Sequence, residues 1–370
     1  MTQPYICLHL NRYLHLGHCI LEEEIFFNAL NDIKKRYPQS TILLFDIFEL
    51  TSYAKPERFS LFLKIQDIME SSGHPYYFVL DKTINTHLSD YQNVIHLNWN
   101  VASTYYFTTI WGNPTLAKTN SNHNKGLFLI GKGEKLHRIG LLKLFYETNN
   151  LDKILWSFKS SESSLKIMKD NFFKDYTDEH YQDFLKICIN DIDSMLDSSC
   201  VQEGFPFGGI GFPYDVSIYE QTGFSVISET WVNYDHPFVS EKTWRAVANS
   251  HPFVLVGPVD NFNWLNQNGF ETFTRFFPIS NYYEFTNNQE FLLECVVANT
   301  LFMNRELKTS INFYKELARL SRENKIRFYQ MAKDEITTFL NKLNVGKEFL
   351  SVLINFHNEI QLYDQNRDYN

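Results

Sequence analysis

The sequence predicts an α/β protein of two doubly wound, Rossmann-like domains facing a cleft, followed by C-terminal helices. Three observations lead there. The chain has 370 residues, the length of about two domains at roughly 100–200 residues each. Apolar runs of strand length alternate with helical patterns both before and after residue 120. A polar stretch without periodicity, residues 118–125 (KTNSNHNK), separates the two series. The expected division is an N-terminal α/β domain over 1–120, a second α/β domain over 126–285 and a helical segment over 286–370.

In chain order, residues 4–10 read as a short strand. Residues 21–37 (LEEEIFFNALNDIKKRY) place apolar side chains at helical spacing, with acids early and bases late as the helix dipole favours. Residues 41–48 are a buried-strand candidate, 59–71 a helix, and 76–80 and 93–97 strands. After the linker, 126–130 is a strand, 136–148 a helix and 154–158 a strand, with helices near 162–171 and 178–196. Residues 204–213 (GFPFGGIGFP) are too rich in Gly and Pro for either and read as a loop able to move over a site. A strand over 224–228, a helix over 241–250, a strand over 252–256 and a helix over 261–267 follow. From about 287 to 363 the pattern is helical, with a break at Asn344-Val345-Gly346.

Composition excludes some classes of function. The net charge of −9 argues against nucleic acid as the main partner, because phosphate binding needs a basic face. The five cysteines are odd in number and contain no Cys-x-x-Cys, which fits a reducing, cytoplasmic setting better than a disulfide framework or a zinc ribbon. No secretory leader and no membrane span are expected. The 33 Phe and 21 Tyr suit an aromatic core, and such rings also build sugar-stacking surfaces.

Two clusters carry candidate chemistry. In the first, a strand ending at Ile130 runs through Gly131-Lys132-Gly133 into a helix starting near Leu136, so Lys132, Lys135, His137 and Arg138 gather at a helix N-terminus. Exposed N–H groups attract anions there, while cations are locally unfavourable without one. The alternative is a solvated basic turn. In the second, a β-rich run ends at Glu229, and Ser240 is placed as the N-cap of a helix opening with Glu241, Lys242 and Thr243. A carboxylate that accepts from ribose hydroxyls beside an ammonium that neutralises a diphosphate suits a nucleotide-sugar site. An ordinary capped helix with a solvated Glu-Lys pair is the alternative.

The string ETWVNYDHPFVSEKTWRAVANSHPFVLVGP, residues 229–258, resembles the donor-binding segment of α1,3-fucosyltransferases and their phage and bacterial relatives. KLHRIGLLKLFYETNNLDKILWSF, residues 135–158, is similar to the Arg-containing helix that precedes it in that family, and FNWLNQNGFETF, residues 262–273, resembles the phage and bacterial members. The likeness spans about residues 126–285. It implies a GT-B-like, inverting, metal-independent glycosyltransferase without a resident cofactor. The donor substrate would be a nucleoside-diphosphate sugar, a GDP-sugar among the candidates. By position, Glu241 would contact the ribose, and Lys242 and Arg138 would hold the diphosphate, with Lys132 and Glu229 beside them. Thr230 stands where the family has Asn and Phe238 where it often has Tyr, so the base and sugar stay open, as does the acceptor: glycan, protein or modified base. A non-catalytic nucleotide- or glycan-binding scaffold, and an effector acting through its C-terminal helices, are the other readings.

Inversion needs a general base, which the resemblance assigns to the N-terminal domain. The acids near its strand ends are Asp46, Glu49 and Asp81, with Asp46 and Glu49 the candidate catalytic pair. His9, His15, His18 and Cys19 form a donor-rich patch that matches no standard zinc spacing. Asp191 and Asp193 lie inside a predicted helix, pointing to different faces, so no metal site is expected.

Overall fold

A computed structural model describes residues 5–10, 14–15, 20–46, 56–80, 88, 90–110, 124–132, 135–159, 166, 169–172, 179, 181–184, 217–230, 232, 237–347 and 349. The chain is α/β, with two four-stranded sheets whose paired strands are all parallel. It divides into two compact units. The first comprises residues 1–102 and 332–370, and the second residues 103–331.

In the first unit, β1 (Tyr5–His9) is followed by a short antiparallel pair, β2 (Leu14–His15) and β3 (Ile20–Leu21), then by helix α1 (Glu23–Arg36). Next come β4 (Thr41–Asp46), α2 (Pro56–Ser72), β5 (Tyr76–Leu80), β6 (Val94–His96) and the start of α3 (Trp99–Ile110), whose residues from 103 onward belong to the second unit. The sheet order is β1-β4-β5-β6. Ile42, Leu44, Phe78, Leu80 and Val94 form a core with Phe26 and Leu30 of α1 and with Leu61, Phe62, Ile65 and Met69 of α2. Leu43, Phe45, Val79 and Ile95 alternate with them and are also buried. Burial on both faces explains why these strands read as continuous apolar runs rather than as alternations.

The second unit contains β7 (Gly126–Lys132), α4 (Leu136–Glu147), β8 (Ile154–Lys159), α5 (Ser217–Glu220), β9 (Phe224–Ser228), α6 (Glu241–Ala248), β10 (Phe253–Val256) and α7 (Val259–Gln267). Two long helices follow, α8 (Gln289–Thr309) and α9 (Ile311–Leu343). The sheet order is β10-β9-β7-β8. From β7 the chain moves outward to β8, then returns across β7 to build β9 and β10. Strand order therefore reverses between β7 and β9, which makes the carboxyl ends of those two strands the topological switch point, where open α/β sheets bind ligands.

The segment expected as a separate C-terminal element, 286–370, is instead shared between the two units. The physical reason is burial. Leu292, Leu293, Cys295 and Val296 of α8 are sequestered where the helix packs on α4 and β10. Gly140 of α4 permits this approach, since a Cβ there would come within 3.0 Å of Leu293 Cδ1. Trp244 of α6 is fully buried between Trp264, Phe270 and Phe328, which ties α6 to α7 and α9. Among the described residues, no helix is long and apolar enough to cross a membrane.

Candidate functional site

Two helices begin at the switch point, and their sequences make different N-termini. α6 is conventionally capped: Ser240 is its N-cap, in extended conformation, and its hydroxyl accepts from Lys242 N at 3.3 Å. Glu241 opens the helix with the charge that the dipole favours. α4 has Lys135 at its N-cap position, and a lysine side chain holds only donors, so it cannot cap. The first turn of α4 therefore has no side-chain cap and carries the basic Lys135 and Arg138, the kind of helix start at which anions bind.

Glu229, the residue after β9, connects the two helices. Its carbonyl accepts from His137 Nε2 of α4 at 2.8 Å. Its carboxyl Oε1 accepts from Ser240 N at 3.1 Å and from Thr243 Oγ1 at 2.6 Å, both at the start of α6. Its own N–H donates to Val256 O of β10 at 2.8 Å. Gly257 leaves room for it, because a Cβ there would sit 3.3 Å from Glu229 Cγ and 3.0 Å from Asn261 Nδ2. Three buried oxygens around this junction, Glu229 Oε2, Glu241 Oε2 and Ser228 Oγ, have no hydrogen-bond partner among the described residues.

The electrostatics join the same groups. Burial pushes the His137 pKa down, Arg138 adds to this, and Lys135 and Lys242 act in the same direction, leaving it at about 4. His137 is therefore neutral at pH 7, and since a carbonyl only accepts, its Nε2 carries the proton. Cations from both helices thus act on one imidazole. Burial raises Glu229 above the usual carboxylate range, with Lys242 and the bonds from Ser240 and Thr243 opposing. For Glu241 burial also pushes upward, but Lys242 and Arg245 prevail and hold it at about 2, with Lys242 Nζ 2.9 Å from Oε1. Arg138 is buried and donates from Nη1 to Ile130 O of β7 at 3.2 Å.

Of the residues expected from the sequence, Arg138, Glu229, Glu241 and Lys242 meet at this junction. Thr230 is buried one residue further along. Phe238 is buried, with its backbone N–H and carbonyl both bonded to the Asn261 amide, at 2.6 and 2.8 Å. Lys132 is the last residue of β7, and its side chain lies outside the described part. In the first unit, Asp46 ends β4 in register with Leu80, and its side chain also lies outside the described part. Glu49, Asp81, His18, Cys19, Asp191, Asp193 and the loop 204–213 lie outside the described residues, as do the side chains of His9 and His15. Among the described residues, no cluster of three His, Cys, Asp or Glu is placed to hold a metal ion.

Sequence reasoning missed the Glu229–Thr243 bond, the His137–Glu229 bond and the Asn261 clamp. Thr243 and His137 were legible as residues of a helix start and Glu229 as the end of a β-rich run, but nothing local pairs them. Comparisons with protein-family models, with curated proteins and with solved structures give no match.

Proposed function

We propose that the chain is an inverting glycosyltransferase that moves a sugar from a nucleoside-diphosphate donor to a hydroxyl acceptor without a metal ion, its second unit holding the donor. The observation that carries this reading is the meeting of the α4 and α6 N-termini on Glu229 at the switch point. Cations (Lys135, Arg138, Lys242) and the buried carboxylate of Glu241 stand side by side there. Such a pairing suits a ligand with an anionic part and a hydroxyl-bearing part, which a nucleotide sugar combines.

In the reaction, the acceptor oxygen attacks the anomeric carbon, and the bond from that carbon to the diphosphate oxygen breaks. The electron pair leaves with the nucleoside diphosphate, whose growing charge the preorganised cations stabilise. A carboxylate takes the acceptor proton, and Asp46 and Glu49 are the candidates. The GT-B arrangement, with the first unit on the acceptor side, belongs to this proposal, as do the glycan, protein or modified-base acceptor and the cytoplasmic setting. Free Cys7 and Cys295 agree with a reducing compartment.

The test is a thermal-shift panel of nucleoside diphosphates, then sugar transfer or donor hydrolysis in EDTA. Expected are a raised melting temperature with at least one nucleotide and turnover that survives EDTA. Lys242→Ala and Arg138→Ala should each slow turnover by roughly 10²-fold or more. Unchanged melting across the panel overturns the reading. Binding without turnover on any donor leaves a nucleotide-binding scaffold.

A further inference from the structure

We propose that Glu229 is the positioning residue of this site: it does not touch the diphosphate but aligns the first turns of α4 and α6, so that the cations of both address one anion. This rests on the donor reading above. Glu229 is fully buried, and contacts hold it in four directions. Its N–H is bonded to β10, its carbonyl to His137 of α4, and its Oε1 to the backbone of Ser240 and the hydroxyl of Thr243 on α6. Gly257 packs against its Cβ and Cγ. A carboxylate so placed opposes a bound diphosphate by charge if it touches it, yet it orients the donors that surround that diphosphate. Second-layer groups of this kind fix the geometry of a preorganised site. His137 is the matching part on α4, since its Nε2–H reaches the Glu229 carbonyl and not the ligand.

The experiment titrates the full-length chain with GDP, UDP, ADP, CDP and dTDP, selects the tightest binder, and repeats the titration on Glu229→Ala, Glu229→Gln and Thr243→Val. Glu229→Ala and Thr243→Val each remove bonds to α6, and affinity should fall about tenfold or more, the scale of a lost hydrogen bond to a charged group. Gln retains an acceptor oxygen for both donors, so Glu229→Gln should bind within about threefold of wild type. Thr243→Val changes little volume and keeps the test informative if Glu229→Ala fails to fold. Wild-type affinity in Glu229→Ala or in Thr243→Val overturns the positioning role. So does a loss in Glu229→Gln as large as in Glu229→Ala, because the charge itself would then be what matters. A wild-type chain that binds none of the five nucleotides overturns the donor reading instead, and this role with it.

Discussion

At the scale of single residues, two buried histidines show how one side-chain type serves two ends of a sheet. His137 lies at the carboxyl edge among cations, while His251 lies at the other end, where Nδ1 is 2.8 Å from Ser225 Oγ and Nε2 2.9 Å from Thr222 O. The Ser225–His251 pair has hydrolase-like partners, but both residues are buried and the other ring nitrogen is spent on the Thr222 carbonyl, so its role is structural. Burial holds both imidazoles at about 4, below the ordinary 6.5. The unfolded chain thus binds more protons than the folded one between those values, and stability rises with pH across that window. Stability should therefore climb from pH 4 to 6.5, by up to about 3 kcal/mol for each histidine, and the melting temperature with it. His251→Asn should flatten the climb, which a pH series of thermal melts measures. Glu241 adds in the same direction at lower pH, between about 2 and 4.5. Glu229 works oppositely, its raised pKa giving stability that is lost as pH rises through it. The Ser240 cap and the Glu241-Lys242 pair were readable from the sequence because they are local. The bond from Thr243 to Glu229 spans fourteen residues and a loop, and no short-range pattern encodes it.

At the scale of elements, irregular backbone in the second unit is held by side chains that imitate strand pairing. Asn261 bonds both the N–H and the carbonyl of Phe238, Asn299 those of Ile279, and Asn324 those of Glu271. The Tyr282 hydroxyl does the same for Leu255, whose backbone groups face the open edge of β10. Each clamp satisfies polar groups that would otherwise be buried without partners. Tyr282→Phe should cost about 1–3 kcal/mol of stability while leaving nucleotide binding unchanged, as paired denaturant and binding titrations would measure. Most strands, and helices α4, α6 and α7, fall close to their expected bounds, because their apolar runs are bounded by caps, Pro and Gly; the helices expected near 162–171 and 178–196 lie largely outside the described residues. α3 was not anticipated. Its sequence, WNVASTYYFTTI, has no charged residue and no clean apolar stripe, so periodicity is silent on it. The break between α8 and α9 was equally hidden. Ser310 makes it by taking an extended conformation, with its hydroxyl accepting from Phe313 N, and no Gly or Pro marks the spot.

At the scale of the molecule, the first unit is discontinuous in sequence. Its sheet comes from the N-terminal third, and the final turns of α9 supply buried Ala332, Phe339, Leu340 and Leu343. Tyr5 Oη donates to the Leu343 carbonyl, Lys342 Nζ reaches the Val94 carbonyl, and Phe349 packs on the Tyr5 ring. Truncation after Met331 should therefore destabilise the first unit by on the order of 5 kcal/mol or more from lost apolar burial. Hydrogen exchange should show protection lost in β1, β4 and β5 and kept in β7, β9 and β10. By itself the sequence determined the α/β class, the positions of most strands, the capped start of α6 and the basic start of α4, since each depends on neighbours within a few residues. Only the tertiary structure decided the strand order, the switch point between β7 and β9, and the residue on which the two helix starts meet. Those depend on which distant segments share a core, and burial and hydrogen bonding between such segments leave no periodic mark along the chain.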